Sequence, residues 1–178
     1  SFCMTKPKIC VIGGGAWGKN HISTLSRMGN LFGVVDSDAQ LLESYKEINK
    51  NCKFFSSIDN AISYGFDGYI VATPAHTHFD IAFKLIDSSQ NVLIEKPVCL
   101  RYKDARKLHS LAKKKDVFVM GGHLLLFHPA FVKIKEIIDN KDFGNMIYCY
   151  SNRLNFGTVR KHENALWSLA PHDISLIL

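Results

Sequence analysis

Short apolar runs alternate along the chain with longer segments whose apolar positions repeat at helical spacing. The runs are "KICVIG" (8–13), "LFGVVD" (31–36), "CKFF" (52–55), "DGYIVAT" (67–73), "NVLIE" (91–95) and "VFVMGG" (117–122). Their apolar residues are mostly continuous rather than alternating with polar ones, as in strands covered on both faces. The segments between them, 16–29, 37–49, 57–65, 76–89 and 102–115, read as helices. Trp17, Ile22 and Leu25 form the apolar stripe of the first, Gly29 stops it, and Ser37 or Asp38 caps the second. This alternation of strand and helix predicts an α/β domain built on a doubly wound parallel sheet.

The rhythm ends after Gly122. "PAFVKIKEIIDN" (129–140) is one more helix, with Pro129 suited to its first turn. "NMIYCYSNRLNF" (145–156) is rich in β-formers, but a lone strand without a hairpin partner does not stand by itself. The chain then stops within "HDISLIL", mid-helix. Two domains are expected: residues 1–123, and residues 124–178 as the incomplete start of an α+β domain.

Composition adds bounds. An apolar fraction of 47% and a charged fraction of 21% are ordinary for a soluble globular protein. No apolar run approaches the roughly 20 residues that span a bilayer, and the first residues lack a signal-peptide core. No membrane partner is expected. The net charge of +6 is carried in part by "RYKDARKLHSLAKKKD". That stretch reads as a solvated helix face, with no aromatic interleaving to suggest nucleic acid. The five cysteines, Cys3, Cys10, Cys52, Cys99 and Cys149, form no CxxC pair and point to a reducing cytoplasm, without zinc or a disulfide framework. Cys10 and Cys149 lie in strand-like runs and are expected in the core.

Two stretches carry chemistry. In "VIGGGAWGKNH", Gly13, Gly15 and Gly18 make GxGxxG between a strand and a helix, with Ala16 and Trp17 inside the loop. Such glycines permit a tight turn, close approach of a pyrophosphate, and close packing of helix on strand. The helix start offers free amides to the phosphates. Asp36 ends the second strand, close to the spacing of about 20 residues at which an acid meets ribose hydroxyls. It would repel a 2′-phosphate and no arginine follows it, so NAD is favoured over NADP. The second stretch is "NVLIEKPVCL", where an apolar strand ends in Glu95, Lys96 and Pro97. Buried charge is costly unless paired or used, and proline stops the strand. The Lys96–Pro97 bond is expected to be cis, turning the lysine off its strand. Ligands bind beyond the carboxyl ends of such strands.

"GGGAWG", "VVD", "ATPAHTH" and "EKP" at a strand end, in that order, resemble the glucose-fructose oxidoreductase/inositol dehydrogenase/MocA (Gfo/Idh/MocA) family. "GGHLLLFHPAF" and "LWSLAPHDISLIL" extend the resemblance and look most like members acting on sugars or nucleotide sugars. The resemblance implies an NAD-dependent oxidoreductase of the Rossmann fold. A hydride would pass between a sugar or nucleotide-sugar hydroxyl or ketone and the nicotinamide. It also implies a second domain for substrate and association, hence a homo-oligomer at full length. Lys96 would sit beside the nicotinamide and the reacting hydroxyl. Its pKa, about 10.4 when free, would be pushed down by desolvation and the cationic ring. Glu95 would hold Lys96 or the loop, or stand as a surface acid. Thr73, Pro74 and His78 would wall the ribose and nicotinamide.

His76 has no matching role, and the HxH spacing lacks a third ligand, so no metal is expected. His172 matches a histidine that often serves as acid or base, with a free pKa of about 6.5. Some members carry an aspartate where this chain has Ser168. That departure leaves open a non-catalytic dinucleotide-binding regulatory protein of the same fold as an alternative.

Overall fold

The computed structural model describes residues 6–48, 51–142, 144–152 and 165–178. The chain divides into two compact units, Ser1–Gly122 and His123–Leu178.

In the first unit, β1 (Ile9–Ile12), β2 (Leu31–Val35), β3 (Lys53–Phe55), β4 (Gly68–Val71), β5 (Val92–Ile94) and β6 (Val119–Gly121) form one sheet. Their order is β3-β2-β1-β4-β5-β6, and every neighbouring pair is parallel. Five helices connect them: α1 (Gly18–Met28), α2 (Ala39–Ile48), α3 (Ile58–Tyr64), α4 (His78–Asp87) and α5 (Tyr102–Lys115). This is the doubly wound Rossmann arrangement, and the strand order reverses between β1 and β4.

Burial follows the pleat, because successive side chains on a strand face opposite sides. Cys10 and Ile12 of β1 join Val71, Ile94, Leu85, Ile86 and Leu108 in one core cluster. Val11, between them, joins Val34, Ile70, Ile22 and Leu42 in a second. Two buried faces explain the continuous apolar runs, each such aliphatic side chain contributing about 1.5–3 kcal/mol on burial.

The register aligns the carboxyl ends. Ile12 pairs with Val35 and with Val71, Val71 with Ile94, and Ile94 with Gly121. The next residues continue the ladder: Gly13 N–H donates to Val35 O, Ala72 N–H to Ile12 O, Glu95 N–H to Val71 O and Gly122 N–H to Ile94 O. Gly13, Asp36, Thr73, Glu95 and Lys96 therefore arrive at one edge of the sheet.

Asp38 is the cap of α2, its Oδ1 accepting from the amides of Gln40 at 2.9 Å and Leu41 at 3.1 Å. Trp17 departs from the expected stripe. It precedes the first turn of α1 and is 43% exposed, while Ile22 is buried as expected.

The second unit contains α6 (Pro129–Asp139) and α7 (Ala165–Ile177), with a 3-10 turn over Leu124–Phe127. Pro129 opens α6, and His128 caps it through Nδ1, which accepts from Ala130 N–H. The β-rich run has no strand among its described residues 145–152, and Ile147 and Tyr148 are exposed. Without a paired neighbour, β propensity alone does not hold a strand. For the same reason Cys149, expected in the core, is exposed. The remainder of that run lies outside the described residues.

Candidate dinucleotide and lysine site

Three glycines shape the loop after β1 in different ways. Gly13 has φ of +92°, a region that side chains disfavour, and a Cβ there would come 2.9 Å from Thr73 Cγ2. Gly18 lies against the carbonyl of Gly13, so closely that a Cβ would overlap its oxygen. Gly15 is the opposite case, since a Cβ there would meet nothing in the chain within 4 Å. Its missing side chain leaves room for something external. The amides of Gly13 and Gly14 are spent inside the protein, on Val35 O and Asp36 Oδ2. Those of Gly15, Ala16 and Trp17, which are exposed, have no acceptor among the described residues. Exposed amides beside an open glycine at the start of α1 fit a pyrophosphate.

Asp36 is half-buried beside this loop. Its Oδ2 accepts from Gly14 N–H at 2.7 Å and its Oδ1 from Asp38 N–H at 2.9 Å. Each oxygen keeps a further lone pair, so the carboxylate is aimed by the backbone and still able to accept from ribose hydroxyls. Tyr45, which no sequence motif marks, completes the arrangement. From α2 its hydroxyl donates to Gly14 O at 2.7 Å. Burial and the neighbouring Asp36 charge both raise its pKa above the usual phenol value, keeping the hydroxyl a donor. Its only advance signal is its place after Leu41 and Leu42 on one face of α2.

The lysine turn is tied at both ends by histidines. Glu95 is 7% exposed, and its Oε1 accepts from His21 Nε2 on α1 at 2.7 Å. Its Oε2 accepts from Lys96 N–H at 3.2 Å. Burial pushes the Glu95 carboxyl up, but the His21 hydrogen bond and charge, with the Lys96 amide and ammonium, outweigh it. The group is held below its ordinary value. The Lys96–Pro97 peptide is cis, as expected. Lys96 is half-buried and Pro97 buried.

On the far side of Lys96, Pro97 O lies 2.8 Å from His78 Nδ1, and Thr73 O lies 2.8 Å from His78 Nε2. His78 is 1% exposed. Any contribution it makes to a cofactor wall passes through Thr73 and Pro97, whose carbonyls it ties together. Thr73 is half-buried and Pro74 exposed, and Thr73 Oγ1 accepts from the Thr77 hydroxyl at 2.7 Å. His76 is exposed, and no three His, Cys, Asp or Glu residues gather as a metal site among the described residues.

His172 lies on α7 in the second unit and is half-buried. Asp173, next to it, accepts from the Ser151 hydroxyl at 3.0 Å.

Residues 7–123 match the Gfo/Idh/MocA model, described as an oxidoreductase family with an NAD-binding Rossmann fold. The chain belongs to this family. NAD is the family's cofactor, and the open glycine loop fits it. Over 170 residues the chain is 29% identical to a UDP-N-acetylglucosamine 3-dehydrogenase of Acidithiobacillus ferrooxidans, covering 94% of this chain and 52% of that protein. It is 27% identical over 187 aligned residues to inositol 2-dehydrogenase 1 of Saccharopolyspora erythraea, covering 96% and 53%. The chain thus spans about half the length of these relatives. Among solved structures it resembles GenD2 from gentamicin A biosynthesis in complex with NAD, with a TM-score of 0.73 and 29% identity, over 80% of this chain and 41% of that one.

Proposed function

We propose that the chain carries the cofactor half of an NAD-dependent dehydrogenase that oxidises a hydroxyl of a sugar or nucleotide sugar, or reduces the matching ketone. The observation that carries this reading is the meeting of three features at one sheet edge: the open glycine loop, the oriented Asp36 carboxylate and the anchored Lys96. Gly15, Ala16 and Trp17 hold the pyrophosphate, in a loop whose close turn Gly13 and Gly18 make possible, and Asp36 holds the adenosine ribose. Thr73 and Pro74 line the path toward Lys96, and Glu95 and Pro97 frame it. The bound cofactor supplies hydride acceptance. Lys96 donates a hydrogen bond to the substrate hydroxyl and favours its ionised form by charge. His172 takes the hydroxyl proton as general base, a role that follows from family resemblance.

A substrate of this class is supported by the likeness to dehydrogenases named for a UDP-sugar and for inositol. The odd cysteine count without a CxxC pair supports a reducing, cytoplasmic compartment. Exposed apolar residues on α6, α7 and the 146–150 segment support further covering of the second unit, including self-association of the whole protein. Calorimetry with NAD+ and NADP+ tests the cofactor. A panel of sugars, inositols and UDP-sugars assayed by NADH absorbance tests the reaction. Absence of turnover across that panel in the whole protein, despite NAD+ binding, favours the regulatory reading.

A further inference from the structure

We propose that His21 is a positioning residue for Lys96, acting through Glu95. The inference rests on the reading of Lys96 as the nicotinamide-side residue. Glu95 follows β5, and His21 lies in the first turn of α1, 74 positions earlier in the chain. A buried carboxylate is costly unless its oxygens are engaged. Here the two oxygens are engaged differently. Oε1 reaches outward to the helix that starts at the glycine loop, and Oε2 reaches back to the main-chain amide of the lysine. With the carboxylate held ionised, the shared proton sits on His21 Nε2 and the bond is charge-assisted.

Gly122 leaves the room that this carboxylate occupies. A Cβ there would come 3.2 Å from both Glu95 Cα and Oε2. The His21 side chain retains 25% of its exposure, so it is not simply core filling. The result is a hydrogen-bonded link from α1 to the lysine turn. The loop that receives the pyrophosphate and the lysine that meets the reacting group are referred to the same helix. Placement errors of about 1 Å can cost on the order of a hundredfold in rate, so such a link bears on the chemistry without touching substrate.

The test reads Lys96 directly, without turnover. Lysines of the chain are reductively methylated with isotope-labelled methyl groups, and the Lys96 resonance is assigned by its loss in Lys96→Arg. In His21→Phe the Lys96 resonance should move and its response to NAD+ should vanish, while the NAD+ Kd stays within about twofold. His21→Gln places a donor where Nε2 was and should restore both. Glu95→Gln, the same shape without charge, should move the resonance as His21→Phe does.

A Lys96 resonance in folded His21→Phe that coincides with the native one overturns the inference. So does a rise in NAD+ Kd of about tenfold or more, which would put His21 in the service of the glycine loop instead. Failure of His21→Gln to restore the native behaviour removes the hydrogen-bond argument. If His21→Phe does not fold, Glu95→Gln decides, and an unchanged resonance there overturns it. A native Lys96 resonance indifferent to NAD+ instead sinks the parent reading of Lys96. The dependence of the unliganded resonance on His21 still tests the link.

Discussion

A methyl group at position 18 would overlap the carbonyl oxygen of Gly13, whereas one at position 15 would touch nothing in the protein. The two glycines therefore answer to different demands, one to the fold and one to the ligand. Gly18→Ala should destabilise the chain by about 1–3 kcal/mol or more, since backbone must move. Gly15→Ala should leave the thermal midpoint nearly unchanged and weaken NAD+ binding about tenfold. Thermal unfolding and calorimetry on both variants separate the two. Loss of stability in Gly15→Ala would mean that the loop is not open.

Asp36 should exclude NADP. Its carboxylate is aimed by two backbone amides, and a 2′-phosphate would meet its charge. Asp36→Ala should weaken NAD+ binding and narrow the preference between the cofactors. Equal or tighter NADP+ binding by the unaltered chain would refute this account.

Tyr45→Phe removes the donor to Gly14 O while keeping the ring. A neutral hydrogen bond is worth about 0.5–1.5 kcal/mol, so NAD+ affinity should fall by roughly two- to tenfold through loosening of the loop. Titration calorimetry measures it. An unchanged affinity would limit Tyr45 to packing.

Glu95 should make stability depend on acid pH. Its folded-state pKa lies below the ordinary value of 4.5. A carboxyl depressed on folding adds stability above its unfolded value and loses it as pH falls through the folded one. The stability difference between the unaltered chain and Glu95→Gln should thus be present above about pH 4.5 and shrink below it. Urea unfolding across that range checks it, and a difference that grows on acidification would reverse the sign.

Thiol chemistry should discriminate among the cysteines. Burial pushes Cys52 up to about 12 and, with the charge of Asp104, Cys99 up to about 11. Cys10 is raised further by burial and Cys52. The thiolate is the reactive form, and these raised values hold the three buried thiols protonated near pH 8. Among the described cysteines, Cys149, exposed, should take iodoacetamide first, and the three buried thiols should react only on unfolding. Mass spectrometry of labelled peptides reads this, and early labelling of Cys99 would contradict it.

What the residues determine unaided is local. Strand and helix positions follow from the periods of apolar residues, because a strand covered on both faces must be apolar throughout. The GxGxxG turn, Asp36 at the end of β2 and Lys96 at the end of β5 follow from turn chemistry and from where a strand has to stop. What only the tertiary structure decided is the set of partners. His21 meets Glu95 across 74 positions, Tyr45 meets Gly14 across 31, and His78 joins Thr73 to Pro97. No periodicity marks these residues, since a polar side chain is drawn inward only by a group that the fold brings beside it. The same limit explains Trp17 and Cys149, apolar in context yet exposed. Hydrophobicity says that a residue gains by burial, but whether a neighbour arrives to cover it depends on parts of the chain remote in sequence.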